Sequence, residues 1–218
     1  MVTDLSLFPP IDFYTWPTPN GTKIAIFFEE SGMPYSLHAI NLSTNEQHTP
    51  DFLKISPNGK IPAIFDPCGP EDKPLSLFES GAILMYLARK VGRFYGKTAH
   101  EAAIIDQWVF WQTSGIGPIF GQLNHFRLHA LETIPYAIER FTQEAERLLD
   151  VMDHWLATHE FMGGDYSIAD MACISHINRT VDLGLSLDKR PHVKRWLDAM
   201  LSRPGVQKGL ALKEKIPV

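Results

Sequence analysis

The chain has 218 residues, 44% of them hydrophobic and 21% charged, which is the balance of a globular protein with room for one large domain or two small ones. A formal net charge of −5 supplies no basic field for a nucleic-acid backbone or an anionic membrane surface, so no nucleic acid and no membrane is expected as a partner. The start of the chain lacks a basic region followed by an apolar run, and no apolar stretch approaches the roughly 20 residues that cross a bilayer, so neither a signal peptide nor a span is expected.

In chain order, residues 1–10 end in Pro9-Pro10 and suggest an extended arm. Ile11 to Tyr14 is a short strand stopped by Pro17 and Pro19. Gly21 to Ser31 puts Ile24, Phe27 and Phe28 on one helical face before Gly32 and Pro34 end it. Leu37 to Leu42 is a second strand, and Thr49-Pro50-Asp51 has the grammar of a helix start, closed by Pro57-Asn58-Gly59. Lys60 to Phe65 and Leu75 to Phe78 are two further strands around a polar loop, and Ser80 caps an apolar helix that ends near Gly92. The order β-α-β-α-β-β-α is that of the thioredoxin fold. Its first two strands should run parallel and its last two antiparallel.

After Gly92 to Gly96 the strand signals stop. Thr98 and Glu101 have capping-box spacing at the head of a long helix, which Gly115, Gly117 and Pro118 should interrupt. Pro135 opens a helix to about Thr158, Ser167 and Asp170 form a second capping box, and a last helix spans about Pro191 to Ser202 before Pro204. The expected domains are 1–95, thioredoxin-like, and 99–218, all-helical. Cys68 and Cys173 lack a Cys-x-x-Cys or metal-ligand spacing and the nine histidines are scattered, so no metal is expected and a reducing, cytoplasmic setting is.

Three segments carry chemistry. A proline after Ile61 cannot extend a sheet ladder, so Ile61 offers backbone groups that a peptide can pair with as a short strand. At Glu79-Ser80 a helix start offers free N–H groups and a hydroxyl to a carboxylate, while Glu79 accepts from an ammonium, a combination suited to an amino-acid head. Thr18-Pro19-Asn20-Gly21 occupies the loop where thioredoxins keep their cysteines and contains none. Its hydroxyl and amide are donors suited to a substrate's thiolate. Each segment, taken singly, also fits a plain structural role: a strand terminator, a helix cap and a turn.

Together these segments resemble a glutathione transferase over nearly the whole chain, most closely the nu class and the fungal nitrogen-regulator-like branch. The resemblance rests on Tyr14 to Gly21, Ile55 to Ala63, Leu75 to Ala82, Ile134 to Arg140 and Gly163 to Asp170. It implies reduced or oxidised glutathione as co-substrate, with the γ-glutamyl head on Glu79 and Ser80 and the cysteinyl backbone paired to Ile61 before a cis Pro62. Gln47 and Lys60 would hold the glycyl end, Arg140 would add a contact to a carboxylate, and Asn20 and Thr18 would stand beside the sulfur as the catalytic pair. Tyr14 is the rival for that role, but it lies within the strand and core packing suits it better. The implied activity is reduction of small disulfides by thiol–disulfide exchange, in a homodimer. Conjugation of electrophiles, reduction of peroxides and a non-catalytic regulatory role on the same fold are the alternatives.

Overall fold

The structure, a computed structural model, describes residue 5 and residues 8–216. Most of the expected N-terminal arm lies outside the described residues. The residues form two compact units, one built from residues up to Tyr95 together with residues from Arg203 onward, the other from Gly96–Ser202.

In the first unit, β1 (Ile11–Thr15), α1 (Pro19–Ser31), β2 (Tyr35–Ala39), α2 (Pro50–Ile55), β3 (Ala63–Asp66), β4 (Leu75–Phe78) and α3 (Ser80–Val91) follow one another in the expected order. The sheet order is β2-β1-β3-β4. β1 and β2 are parallel, with Phe13 opposite Leu37, and β3 runs antiparallel to both β1 and β4, with Ile64 opposite Phe13 and Leu77. Alternation along β1 buries Ile11, Phe13 and Thr15 and leaves Asp12 and Tyr14 half-buried, the period-two pattern of a half-covered sheet. The core between sheet and helices is Phe13, Ile24, Phe27, Phe28, Ile64, Ile83, Leu84 and Leu87, each at most 1% exposed.

α1 starts two residues before its sequence expectation because Pro19 takes the first helical position and the Thr18 hydroxyl accepts from Gly21 N–H at 3.3 Å. It is buried on more than one face, Ile26 included, for a reason the sequence did not display. After Pro204, where the last helix was expected to have ended, the chain forms α9 (Pro204–Leu210, numbered after the helices of the second unit), which packs on α1. A Cβ at Gly209 would sit 2.6 Å from Ile26 Cα, so only glycine permits that approach. Arg203 pairs with Glu30 through two bonds of 3.2 and 2.7 Å, and Lys215 with Glu29 at 2.6 Å.

The second unit holds α4 (Ala99–Trp111), α5 (Gly117–Asn124), α6 (Pro135–Leu156), α7 (Ile168–Ile177) and α8 (Pro191–Leu201). The interruption expected at Gly115-Gly117-Pro118 is a π-helical turn over Gln112–Ile116, and a second such turn spans His125–His129. The Thr98–Glu101 box is only half made. Thr98 Oγ1 accepts from Glu101 N–H, but the Glu101 carboxylate takes the N–H of Lys97 instead of Thr98. The Ser167–Asp170 box is complete and heads α7, a helix buried along its whole length.

Candidate functional site

A hollow lies within the first unit. Asn20, Asn58, Lys60, Ile61, Pro62, Phe78, Glu79 and Ser80 line a hollow of about 150 Å3. Four pieces of chain meet there: the start of α1, the loop before β3, the end of β4 and the start of α3. Of the sequence-predicted residues, Asn20, Lys60, Ile61, Pro62, Glu79 and Ser80 line it. Thr18, Gln47 and Arg140 do not.

The loop before β3 differs from expectation in one respect. The strand begins at Ala63, and β3 lies inside the sheet between β1 and β4. Ile61 is therefore not on an edge strand. Its backbone is available because the ladder starts two residues later, at the pairs Tyr14–Ala63 and Ala63–Phe78. The Ile61–Pro62 peptide is cis, and Pro62 is buried while Ile61 is half-buried. The Ser56 hydroxyl donates to the Lys60 carbonyl at 2.8 Å and fixes the approach to the strand.

The start of α3 also differs. Ser80 is the first helical residue, and the cap position belongs to Glu79, which makes no side-chain capping bond. Glu79 has φ 72°, a left-handed backbone that costs a non-glycine residue of the order of 1–3 kcal/mol and is found where the surroundings demand it. Its carboxylate is thus turned from capping duty and exposed in the cleft. The first N–H groups of α3 have no partner inside the helix, so the positive end of the helix faces the same hollow. Ser80 itself is 6% exposed, and its Oγ accepts from Lys23 Nζ at 3.3 Å.

At the start of α1, Asn20 is exposed at the second helical position and its side chain lines the cleft. Thr18 is the N-cap, its hydroxyl oxygen occupied by Gly21 N–H, which leaves its proton free to donate. Gly21 has no room for a side chain, since a Cβ would lie 2.1 Å from Thr15 Oγ1; this close seating on β1 fixes where the helix points.

Gln47 lies in the 3-10 turn Glu46–His48. Its turn packs against the cleft's rim, because a Cβ at Gly59 would be 3.3 Å from the Gln47 carbonyl and 3.0 Å from His48 Nδ1. Its side-chain Oε1 is buried without a hydrogen-bond donor. Arg140 is exposed on α6 in the second unit, where it borders a separate hollow of about 310 Å3 with Phe141, Glu144 and Arg147. Tyr14 stacks on His38 at 4.6 Å, and burial together with Asp12 holds its hydroxyl above the usual value, so it does not ionise readily. Cys68 is exposed, Cys173 is buried, and neither lines the cleft. Asn58 and Phe78 are lining residues that the sequence reading did not single out; adjacency to Gly59 and to Glu79 was the available signal.

Among the described residues no group of three or more His, Cys, Asp or Glu is placed to hold a metal, and no helix is long and apolar enough to cross a membrane. The cleft offers one carboxylate, one ammonium, two helix starts, a serine hydroxyl and two amides, and no cysteine lines it. It can bind a short zwitterionic peptide and stabilise an anion beside Asn20.

Comparison with known proteins agrees with that chemistry. Residues 9–89 match the glutathione S-transferase N-terminal domain and residues 137–204 the glutathione S-transferase C-terminal domain. The chain is 47% identical over 203 residues to the disulfide-bond oxidoreductase YfcG of Escherichia coli (strain K12), covering 92% of this chain and 94% of that protein. A glutathione transferase from Burkholderia graminis, solved with two glutathione molecules bound per subunit, superposes with a TM-score of 0.89 at 41% identity, over 97% of this chain and 96% of that one. A glutathione transferase from Pseudomonas putida, solved with one glutathione disulfide bound per subunit, gives 0.88 at 39% identity, over 96% and 92%.

Proposed function

We propose, from the premise that this chain belongs to the glutathione S-transferase family, that it is a glutathione-dependent disulfide-bond oxidoreductase of the nu class. The observation that carries this reading is the cleft itself: a peptide-binding hollow ending at the start of α1, where Asn20 stands and no cysteine does. The binding of glutathione and of glutathione disulfide by the two solved relatives supports the choice of ligand.

In this reading the γ-glutamyl carboxylate sits on the N–H groups of α3 and the Ser80 hydroxyl, and the ammonium on Glu79. The cysteinyl backbone pairs with Ile61 ahead of Pro62. Lys60 takes the glycyl carboxylate, and Gln47, whose buried Oε1 lacks a donor, takes a peptide N–H after a small rotation. The thiol then lies beside Asn20 and Thr18, whose donors and helix start favour the thiolate.

The chemistry proceeds in two exchanges. A glutathione thiolate attacks one sulfur of the disulfide, the old S–S bond breaks as the mixed disulfide forms, and the departing thiolate takes up the proton that glutathione lost. A second glutathione thiolate attacks the glutathionyl sulfur of the mixed disulfide, releasing the second thiol and glutathione disulfide. All four sulfurs belong to substrates. The protein's part is to orient the pair and hold negative charge at the sulfur.

The functional domains are taken as 1–95 and 99–218, the protein as a homodimer with each cleft facing the partner's helical domain, and its setting as cytoplasmic. The resemblance supports these three points, and mass in solution checks the second. The test of the activity is reduction of hydroxyethyl disulfide by glutathione, coupled to NADPH oxidation through glutathione reductase. Enzyme-dependent turnover is expected. No turnover by protein that binds glutathione would move the assignment to conjugation, peroxide reduction or a non-catalytic binder.

A further inference from the structure

Lys23 lies on α1, three residues after Asn20, and is 1% exposed. Amine side chains are almost never buried to this degree unless they are held by hydrogen bonds. Its Nζ reaches the Oγ of Ser80, 57 positions away in sequence, at 3.3 Å. Ser80 lines the cleft and Lys23 does not, so the amine reaches the site only through Ser80.

The polarity of that bond has a chemical consequence. An ammonium has three donors and no acceptor, so Ser80 Oγ must be the acceptor in it. A hydroxyl that accepts from one side keeps a single proton to give. Because Ser80 lines the hollow at a helix start, that remaining proton is available to a ligand there. Unassisted, a serine at such a position can donate or accept; with Lys23 in place it is committed to an anion.

We propose that Lys23 is a positioning residue for the α-carboxylate of the bound γ-glutamyl group, acting through Ser80. It fixes the Ser80 hydroxyl as a donor and holds a positive charge one hydrogen bond behind it, in a buried place where solvent screens it little. The inference rests on the glutathione reading of the cleft. It extends that reading from the residues that line the hollow to one that never meets the ligand.

A plain packing role for the lysine stem predicts something different. Lys23→Met keeps most of the stem and removes the ammonium. If Lys23 only fills space, this variant binds every ligand of the cleft equally well or equally badly. If it commits Ser80 to a carboxylate, the loss depends on that carboxylate being present. The experiment is a cycle between protein and ligand, measured by calorimetry on the full-length protein. The probes are glutathione and its analogue with an aminobutyryl group in place of γ-glutamyl, which lacks only the α-carboxylate.

Lys23→Met is expected to weaken glutathione about tenfold and the analogue less than about twofold, with the turnover number at saturating glutathione nearly unchanged. Lys23→Leu should show the same selectivity, and it carries the test if Lys23→Met does not fold. Equal losses for the two ligands in Lys23→Met, or in Lys23→Leu where that variant must stand in, overturn the inference and leave the glutathione reading intact. Wild-type protein that binds neither ligand overturns both.

Discussion

Two helices of this protein begin with a serine and an acid, and the two beginnings are opposites. At α7 the pair is Ser167 and Asp170, and everything there is spent inside the fold. Asp170 is fully buried; one oxygen accepts from Met162 N–H and Trp196 Nε1, both at 2.8 Å, and the other from Ser167 N–H at 3.0 Å. At α3 the pair is Glu79 and Ser80. The acid makes no capping bond, adopts a left-handed backbone and is exposed in a cleft. A helix start closed by its own side chains stabilises a fold, and one left open is a place to bind an anion. Both have the same residue chemistry, so the difference lies in what the rest of the chain brings to them.

The comparison breaks most visibly at Asp170. Asp170→Asn leaves one acceptor oxygen where two are used and places an amide against donors, so a loss of about 3 kcal/mol or more is expected in urea unfolding. The pH dependence sharpens it. Burial outweighs the donors and pushes the Asp170 carboxyl from its usual 3.8 up to about 6. Between those values the folded state holds a proton that the unfolded state has lost. The contribution is therefore fully present below the unfolded value and is lost as pH rises through 6. Unfolding midpoints measured from pH 4 to pH 7 should show the gap between wild type and Asp170→Asn narrowing as pH rises; a constant gap would contradict the assignment.

The open starts respond in activity and not in stability. Asn20→Ala should lower the turnover number for hydroxyethyl disulfide by about tenfold to a hundredfold, the scale for one donor to a developing or resting anion, with the melting temperature almost unmoved because Asn20 is exposed. Full activity in that variant would shift the anion's support to Thr18 and the helix start. Glu79→Gly removes both the carboxylate and the cost of the left-handed backbone. It should raise the KM for glutathione about tenfold while stability stays level or rises by up to about 1 kcal/mol. A clear loss of stability would mean that Glu79 serves the fold after all. No counterpart to this trade is available at α7.

Much of this was legible in the chain. The Ser167–Asp170 box, Pro135, the interruption near Gly115 and the strand order all follow from local grammar, where neighbours in sequence do the work. What escaped depends on distant partners. Glu79 looked like the acid beside a capping serine, and only the sheet and cleft turn it into the cap residue at φ 72°. Ile61 looked like an edge residue, and the sheet order puts its strand inside. Pro204 looked like a terminator, yet it is the first residue of α9, since a proline that ends one helix begins another equally well. Lys23 carries no local signal at all, and its burial beside Ser80 depends on packing that the sequence does not display.

The return of residues 203–216 to α1 has a bearing on how the protein is made. A ribosome that has finished all of the first 95 residues has not finished the first unit, because Gly209 and the Glu30–Arg203 pair are still to come. Until then one apolar side of α1, with Ile26 at its centre, stays uncovered while the helical unit is synthesised. Domains generally fold as units in order of synthesis, and here the first unit stays incomplete until the whole helical unit has been made and residues 203–216 have followed it.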